Sequence, residues 1–175
     1  MPTDTAWLDD HVRVIEDYPQ AGVTFRDITP LLRDPRAFGA TVDAIADHYV
    51  GAQIDHVIGI EARGFIVAAP VAYRLGAGFV PVRKAGKLPW AVAREEYKLE
   101  YGTDKLEIHR DAIHPGERVA IVDDVLATGG TASAALRLVE ALGAHVVGLG
   151  FIIELTALDG RSKVASRDVM SLLRY

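Results

Sequence analysis

Two adjacent carboxylates and a run of small residues lie in the middle of the chain, within residues 119–131. An apolar stretch leads into Asp123 and Asp124, and a small-residue loop then opens a helical pattern. Backbone N–H groups at a helix start bind anions, and glycine lets a phosphate approach closely. Carboxylates suit sugar hydroxyls or hydrated Mg²⁺. The run predicts a site for a ribose 5-phosphate-like ligand, whereas ordinary helix capping explains only part of it. The loop residues are Ala127, Thr128, Gly129, Gly130 and Thr131.

Two further groups of polar residues follow predicted strands. Arg63 lies in a short turn with Glu61 and Ala62, and its planar guanidinium suits phosphate oxygens. Spacing alone leaves a surface arginine equally acceptable there. The basic residues Arg83, Lys84 and Lys87 follow the next strand, where they either contact an anionic ligand or form a solvated face.

The elements that must position these residues form a strand–loop–helix–strand pattern that occurs twice. The strands are continuous apolar runs, which are typical of parallel strands buried on both faces. Ligands of such sheets bind beyond the carboxyl ends of the strands. The sequence therefore predicts one α/β domain over residues 1–175. Its predicted parts are strands 56–60, 79–82, 119–122 and 146–153, a loop at 123–130, and helices ending at Leu75 and Leu142.

The other segments are assigned from local signals. Residues 5–18 have helical spacing, residues 20–34 form a loop, and Asp34-Pro35 starts a helix that runs to about Val50. The polar insertion at about 83–111 contains a predicted hairpin with its turn at 102–104, and an insertion of this length is typical of an active-site lid. Residues 169–173 are expected to form a short edge strand.

Composition excludes several classes of protein. The 175 residues include no cysteine, so disulfide scaffolds, thiolate metal sites and cysteine nucleophiles are excluded. The net charge of −5 argues against a nucleic-acid partner. The apolar run 146–153 is too short to span a bilayer, and the first ten residues do not resemble a signal peptide. We expect a soluble, cytoplasmic protein with neither nucleic-acid nor membrane partners.

Residues 119–131 resemble the phosphoribosyl pyrophosphate (PRPP) signature of the type I phosphoribosyltransferase family. Residues 22–32, 61–65, 83–89 and 99–102 resemble the adenine phosphoribosyltransferases within it. The resemblance extends from about residue 10 to the end. It implies the type I phosphoribosyltransferase fold, a mainly parallel central sheet flanked by helices, with a flexible lid over the active site. It also implies purine salvage by a homodimer, in which adenine and PRPP give AMP and pyrophosphate.

The resemblance also implies a role for each motif. Mg²⁺ would be held mainly by PRPP, with Asp123 and Asp124 nearby and no direct protein ligand assigned. The loop 127–131 would hold the 5′-phosphate. The peptide between Glu61 and Ala62 is often cis in the family, and a lysine can come from the dimer partner. The expected pyrophosphate contacts are Glu61, Ala62, Arg63, Arg83, Lys84, Lys87 and Tyr101.

The resemblance places two catalytic residues and the base pocket. Arg63 would act on the leaving pyrophosphate and Glu100 on the purine proton, although the hairpin glutamates at 95, 96 and 107 leave that choice open. Phe25 and Leu155 would cover the two faces of adenine. The Thr24 carbonyl would accept from the exocyclic amine, and the Arg26 amide would donate to N1. This pattern rejects 6-oxopurines, whose donor and acceptor are reversed. From the residues alone, Phe25 is an ordinary loop anchor.

Three alternatives remain for the function. A hypoxanthine, guanine or xanthine phosphoribosyltransferase would keep the fold and change the base. A non-catalytic regulator would sense PRPP and bind nucleic acid, which the net charge disfavours. A phospho-acceptor receiver domain would explain the paired aspartates but would have no use for residues 128–131.

Overall fold

The computed structural model describes residues 5–98 and 103–175, and most of its strands form one sheet. The described residues contain nine strands: β1 (Arg13–Ile15), β2 (Phe25–Asp27), β3 (His56–Ile60), β4 (Gly78–Lys84), β5 (Val92–Lys98), β6 (Thr103–His109), β7 (Arg118–Leu126), β8 (His145–Glu154) and β9 (Asp168–Arg174). The seven-stranded sheet has the order β5-β6-β4-β3-β7-β8-β9. Strands β4, β3, β7, β8 and β9 are parallel, while β6 and β5 are added antiparallel. The predicted, mainly parallel sheet is confirmed.

In the same part of the chain, four α-helices connect or precede these strands. They are α1 (Thr29–Arg33), α2 (Pro35–Tyr49), α3 (Arg63–Leu75) and α4 (Gly130–Ala141), with 3₁₀ segments at Ala6–His11, Thr156–Leu158 and Gly160–Val164. The Asp34 carboxylate caps α2 by accepting from the amides of Arg36 and Ala37, as the Asp-Pro pair predicts. None of the helices within the described ranges is long and apolar enough to cross a membrane.

The core lies on both faces of the sheet. Along β3, Val57 belongs to the apolar cluster beneath α2 and α3, whereas Ile58 and Ile60 belong to the cluster beneath α4. Successive side chains of a strand point to opposite faces, so a strand covered on both faces must be apolar at every position. This is why the strand sequences are continuous apolar runs.

The prediction of a helix over residues 5–18 is wrong. Only Ala6–His11 is helical, as a 3₁₀ segment, and Arg13–Ile15 forms β1, which pairs with β2. The β-branched residues Val12, Val14 and Ile15 favour an extended chain. The predicted loop 20–34 is likewise partly ordered, because it contains β2 and the short helix α1. The Asp27 carboxylate accepts from the amide and hydroxyl of Thr29, the first residue of α1.

Two boundaries near the cleft also differ from prediction. Strand β7 continues through the paired aspartates to Leu126, because its ladder with β8 extends to the pair Leu126 and Glu154. The connecting loop is therefore shorter than residues 123–130. The hairpin is confirmed as β5 and β6, but Thr103 and Asp104, which are predicted to lie in its turn, belong to the paired strand β6.

Candidate active site

A cavity of about 590 Å³ opens at the carboxyl ends of β3 and β7, where the fold class predicts a ligand. Its walls come from the start of β2, the turn before α3, the hairpin, the loop before α4 and Leu155 after β8. The predicted residues that line it are Thr24, Phe25, Arg26, Glu61, Ala62, Arg63, Lys84, Asp123, Asp124, Ala127, Thr128, Gly129, Gly130, Thr131 and Leu155. The structure thus brings most of the predicted site residues around one cavity.

The two aspartates lie at the floor of the cavity and are both buried. Asp123 is 9% exposed and Asp124 is 6% exposed. The Asp123 carboxylate accepts from the Asp124 amide at 2.9 Å. Burial, followed by the neighbouring Asp124 carboxylate, raises the pKa of Asp123 well above its ordinary value. The pair therefore presents acceptors together with a carboxyl group that resists ionisation.

Arg63 begins α3 and lies directly beside this pair. Its Nε is 2.6 Å from Oδ2 of Asp124, which makes the two side chains a close ion pair. The geometry is not that of a hydrogen bond, and this oxygen accepts none from any described residue. A Cβ at Gly64 would come within 2.6 Å of the Asp123 carboxylate, so glycine is what allows α3 to start against β7. The peptide between Glu61 and Ala62 is cis, as the resemblance implies.

The loop before α4 is shaped by a second glycine contact that the sequence did not reveal. Gly129 has φ +75°, and a Cβ there would lie 2.3 Å from the Gly160 carbonyl oxygen. A Cβ at Gly160 would lie 2.1 Å from the Ala127 carbonyl oxygen. Two backbones therefore touch where no side chain fits. In the sequence, Asp159-Gly160 indicates only a turn.

The three basic residues 83, 84 and 87, which are expected to contact pyrophosphate, differ in their position relative to the cavity. Lys84 lines the cavity, whereas Arg83 and Lys87 are not among the residues that line it. The Arg83 guanidinium donates to the Glu61 carboxylate at 3.2 and 3.3 Å and to the Lys87 carbonyl at 3.2 Å. Burial acts to raise the pKa of Glu61, but hydrogen bonds from the Lys84 amide and Arg83 outweigh it and lower that pKa. Glu61 is thus an anion that orients Arg83.

Both hairpin residues with predicted roles, Glu100 and Tyr101, lie outside the described residues. The other hairpin glutamates are each paired with a cation: Glu95 with Arg137 at 2.7 Å, Glu96 with Lys105 at 3.1 Å, and Glu107 with Arg94. None of the three is among the cavity-lining residues.

The hairpin also contributes three residues to the cavity that sequence reasoning missed: Tyr97, Asp104 and Leu106. Tyr97 is buried, and its hydroxyl lies 3.4 Å from Oδ2 of Asp104. The same carboxylate oxygen is 3.2 Å from Nζ of Lys84. These residues tie the hairpin to the end of β4. Alternation along the hairpin could have indicated that Tyr97 faces inward, because it is a large aromatic residue among charged neighbours.

The wall expected to hold the base is formed by Thr24, Phe25 and Arg26, with Leu155 also lining the cavity. The Phe25 ring packs edge-on against Tyr18 at 5.3 Å, and the Arg63 guanidinium lies 5.6 Å from its centroid. Leu155 directly follows Glu154, whose carboxylate accepts from Arg161, Ser171 and Arg174. Hydrogen bonding from these groups, Arg161 foremost, lowers the pKa of Glu154 to about 2. That ion cluster fixes the end of β8 beneath the cavity.

Comparisons with known proteins agree with this geometry. Residues 12–171 match the phosphoribosyl transferase domain family. The chain is 60% identical over 164 residues to the adenine phosphoribosyltransferase of Acidothermus cellulolyticus, covering 94% of this chain and 93% of that one. The enzyme structure from Rhodothermus marinus is 48% identical with a TM-score of 0.93, covering 99% of both chains.

A third relative carries a ligand. The Saccharomyces cerevisiae adenine phosphoribosyltransferase, complexed with an imino-altritol bisphosphate and adenine, is 41% identical with a TM-score of 0.94. The match covers 99% of this chain and all of that one. The chain therefore belongs to the type I phosphoribosyltransferase family, among the adenine phosphoribosyltransferases, which make AMP and pyrophosphate from adenine and PRPP in purine salvage.

Proposed function

We propose that the cavity binds PRPP with its 5′-phosphate in the loop 127–131 and its ribose over the paired aspartates. The observation that carries this proposal is the burial of Asp123 and Asp124 immediately before a loop whose amides open α4. Thr128 and Thr131 add hydroxyl donors, and the positive φ of Gly129 bends the loop around the space for the phosphate. Buried carboxylates need hydrogen-bond donors, and ribose hydroxyls can donate to them.

Mg²⁺ fits this site as a companion of PRPP rather than as an ion bound by protein alone. Oδ2 of Asp124 is paired with Arg63 but accepts no hydrogen bond from any described residue, so it can still accept one from a metal-bound water. Across residues 5–98 and 103–175, no cluster of three or more acidic, histidine or cysteine side chains could hold a metal. Asp123 and Asp124 would therefore hold the hydrated ion against PRPP, where it neutralises charge on the pyrophosphate.

We further propose that Arg63, Lys84 and the turn 61–62 receive the pyrophosphate. Fixed positive charge placed where negative charge develops lowers the barrier, because it needs no reorganisation during the reaction. Arg83 is oriented by Glu61, and Lys87 is exposed, so both would reach pyrophosphate only after a rearrangement or across the dimer. Bond breaking at C1 of the ribose would run ahead of bond making, through an oxocarbenium-like transition state.

The base would stack between Phe25 and Leu155. Recognition would depend on the main chain, with the Thr24 carbonyl accepting from the exocyclic amine and the Arg26 amide donating to N1. A 6-oxopurine offers the opposite donor and acceptor, and would leave these groups unpaired at a cost of roughly 1–3 kcal/mol each. The pocket is therefore selective for adenine.

Glu100 is proposed to take the purine proton. The pairing of Glu95, Glu96 and Glu107 with cations supports this choice, because each of those carboxylates is already engaged. The segment 83–111, with Tyr101, would act as a lid that keeps water from the activated C1.

We propose a cytoplasmic homodimer. One apolar surface supports the dimer: Ile66 and Tyr73 on α3 are 45% and 89% exposed, and Phe79 at the start of β4 is 37% exposed. The Phe65 ring, on the first turn of α3, packs edge-on against Phe79 at 5.7 Å. Exposed apolar surface of this kind is typical of protein interfaces.

The test of the PRPP site is the double substitution Asp123→Asn with Asp124→Asn. The amide resembles the protonated carboxyl that the raised pKa of Asp123 favours, so the fold should persist. We expect calorimetry with PRPP and Mg²⁺ to detect no binding, while a surface control, Asp43→Asn, binds like the parent chain. Unchanged PRPP affinity in the double variant would remove the aspartates from the site.

A further inference from the structure

Tyr175 lies directly behind the wall that faces the base. The Arg26 guanidinium carbon is 4.0 Å from the centroid of the Tyr175 ring, a close cation–π distance. Within residues 5–98 and 103–175, no carboxylate forms an ion pair with Arg26. The aromatic ring is therefore the partner that fixes this side chain, and with it the residue whose amide is proposed to contact the base.

The main-chain atoms of Tyr175 bond to the segment that carries Leu155. Its amide donates to the Glu154 carbonyl at 2.9 Å, and its carbonyl accepts from the Thr156 amide at 2.7 Å. The Thr156 hydroxyl donates to the same carbonyl at 2.6 Å. These three bonds flank Leu155 on both sides. Tyr175 thus bridges the strand that carries Arg26 and the segment that carries Leu155.

A third contact keeps the ring in place. The Tyr175 hydroxyl donates to the Asp9 carboxylate on the 3₁₀ segment Ala6–His11. Burial, followed by this hydrogen bond, raises the pKa of Tyr175, so the ring stays neutral in the physiological range. If the ring moved, it would lose its contact with Arg26, its hydrogen bond to Asp9, or both.

We propose that Tyr175 is a positioning residue for purine recognition: it sets the spacing between the Arg26 amide and Leu155, and so the width of the slot for a flat base. The inference rests on the proposed base site at residues 24–26 and 155. Tyr175 is not among the cavity-lining residues, so its effect passes through Arg26 and Leu155. Its removal should weaken base binding selectively and leave PRPP binding intact.

The decisive comparison is Tyr175→Leu against Tyr175→Phe in steady-state assays with adenine and PRPP varied separately. Leucine removes the ring beneath Arg26, and we expect the KM for adenine to rise about three- to tenfold. The KM for PRPP and kcat should stay within about twofold, since neither depends on the slot. Phenylalanine keeps the ring beside Arg26 and loses only the Asp9 contact, so its KM for adenine should rise less than that of Tyr175→Leu.

Two further variants make every outcome informative. Arg26→Met removes the cation from the other side and should raise the KM for adenine as Tyr175→Leu does, with no further rise in the double variant. If Tyr175→Leu does not fold, Arg26→Met alone tests whether the contact between Arg26 and the ring affects the KM for adenine. Phe25→Ala tests the base site itself. An unchanged KM for adenine in Tyr175→Leu, with a raised KM in Phe25→Ala, would overturn the inference alone. An unchanged KM in Phe25→Ala would overturn the proposed base site and the inference together.

Discussion

Nε of Arg63 lies 2.6 Å from Oδ2 of Asp124, which joins the first turn of α3 to the last residues of β7 on the cavity floor. The arginine side chain is 45% exposed and the aspartate side chain 9%, so the guanidinium keeps donors free to face the cavity. Arg63 is therefore both anchored and available to a bound anion. The contact joins the two motifs that the sequence analysis placed on different strands.

Arg63→Gln should lower kcat by about 100-fold, because the departing pyrophosphate loses a fixed positive charge. The measurement is the initial rate of AMP formation at saturating adenine and PRPP. Arg74→Gln is the matched control, since Arg74 lies on the same helix but pairs with Asp43 and Asp47 at the surface. A parental kcat in Arg63→Gln would exclude Arg63 from the departure step.

Gly129→Ala should weaken PRPP binding, because the added Cβ would lie 2.3 Å from the Gly160 carbonyl and force the loop away. We expect the KM for PRPP to rise by roughly tenfold or more, with a stability loss of about 1–3 kcal/mol. Gly116→Ala separates the two causes: Gly116 also has positive φ, but nothing lies within 4 Å of its Cβ position. That control should lose stability only. If both variants changed the KM for PRPP equally, the close contact between Gly129 and Gly160 would not be what shapes the PRPP site.

Glu100→Gln should reduce kcat by roughly 100-fold while the KM for either substrate changes little, because proton transfer is lost and binding is retained. Glu96→Gln is the control from the same hairpin, since Glu96 pairs with Lys105. Full turnover by Glu100→Gln would assign the proton transfer to another group.

Stability should depend on pH through Glu154. Its pKa of about 2 in the folded chain lies below its ordinary value of 4.5. A lowered folded pKa gives stability that is complete above about pH 4.5 and is lost as the pH falls towards about 2. The difference in unfolding free energy between the parent chain and Glu154→Gln should thus shrink by on the order of 2 kcal/mol across this window. Parallel curves over the whole range would contradict the assignment.

Local sequence signals predicted the elements around the cavity well. Asp34 predicts the start of α2, and Gly76 predicts the end of α3. A continuous apolar run predicts β3. The paired aspartates and the loop after them stood out because their residue types together predict the binding of a phosphorylated sugar. Such signals are local in the chain, so a single sequence displays them.

The remaining features depend on contacts between distant segments. The contact of Gly129 with Gly160 and the bridge from Tyr175 to Arg26 join residues far apart in sequence, and no local pattern indicates them. Strand β1 formed instead of a helix because β2 provides a pairing partner. The engagement of Arg83 by Glu61 was likewise invisible, because spacing gives a location but not an ion-pair partner.

The most direct test of the proposed base pocket is turnover of PRPP, with Mg²⁺ present, by each of four purines in parallel: adenine, hypoxanthine, guanine and xanthine. If the main chain around Phe25 selects the base as proposed, AMP forms from adenine and the three 6-oxopurines give no nucleotide. Formation of IMP or GMP would contradict the proposed pocket and leave the PRPP site standing. Absence of product from every base, with PRPP still bound, would contradict the catalytic assignment and favour a PRPP-sensing role.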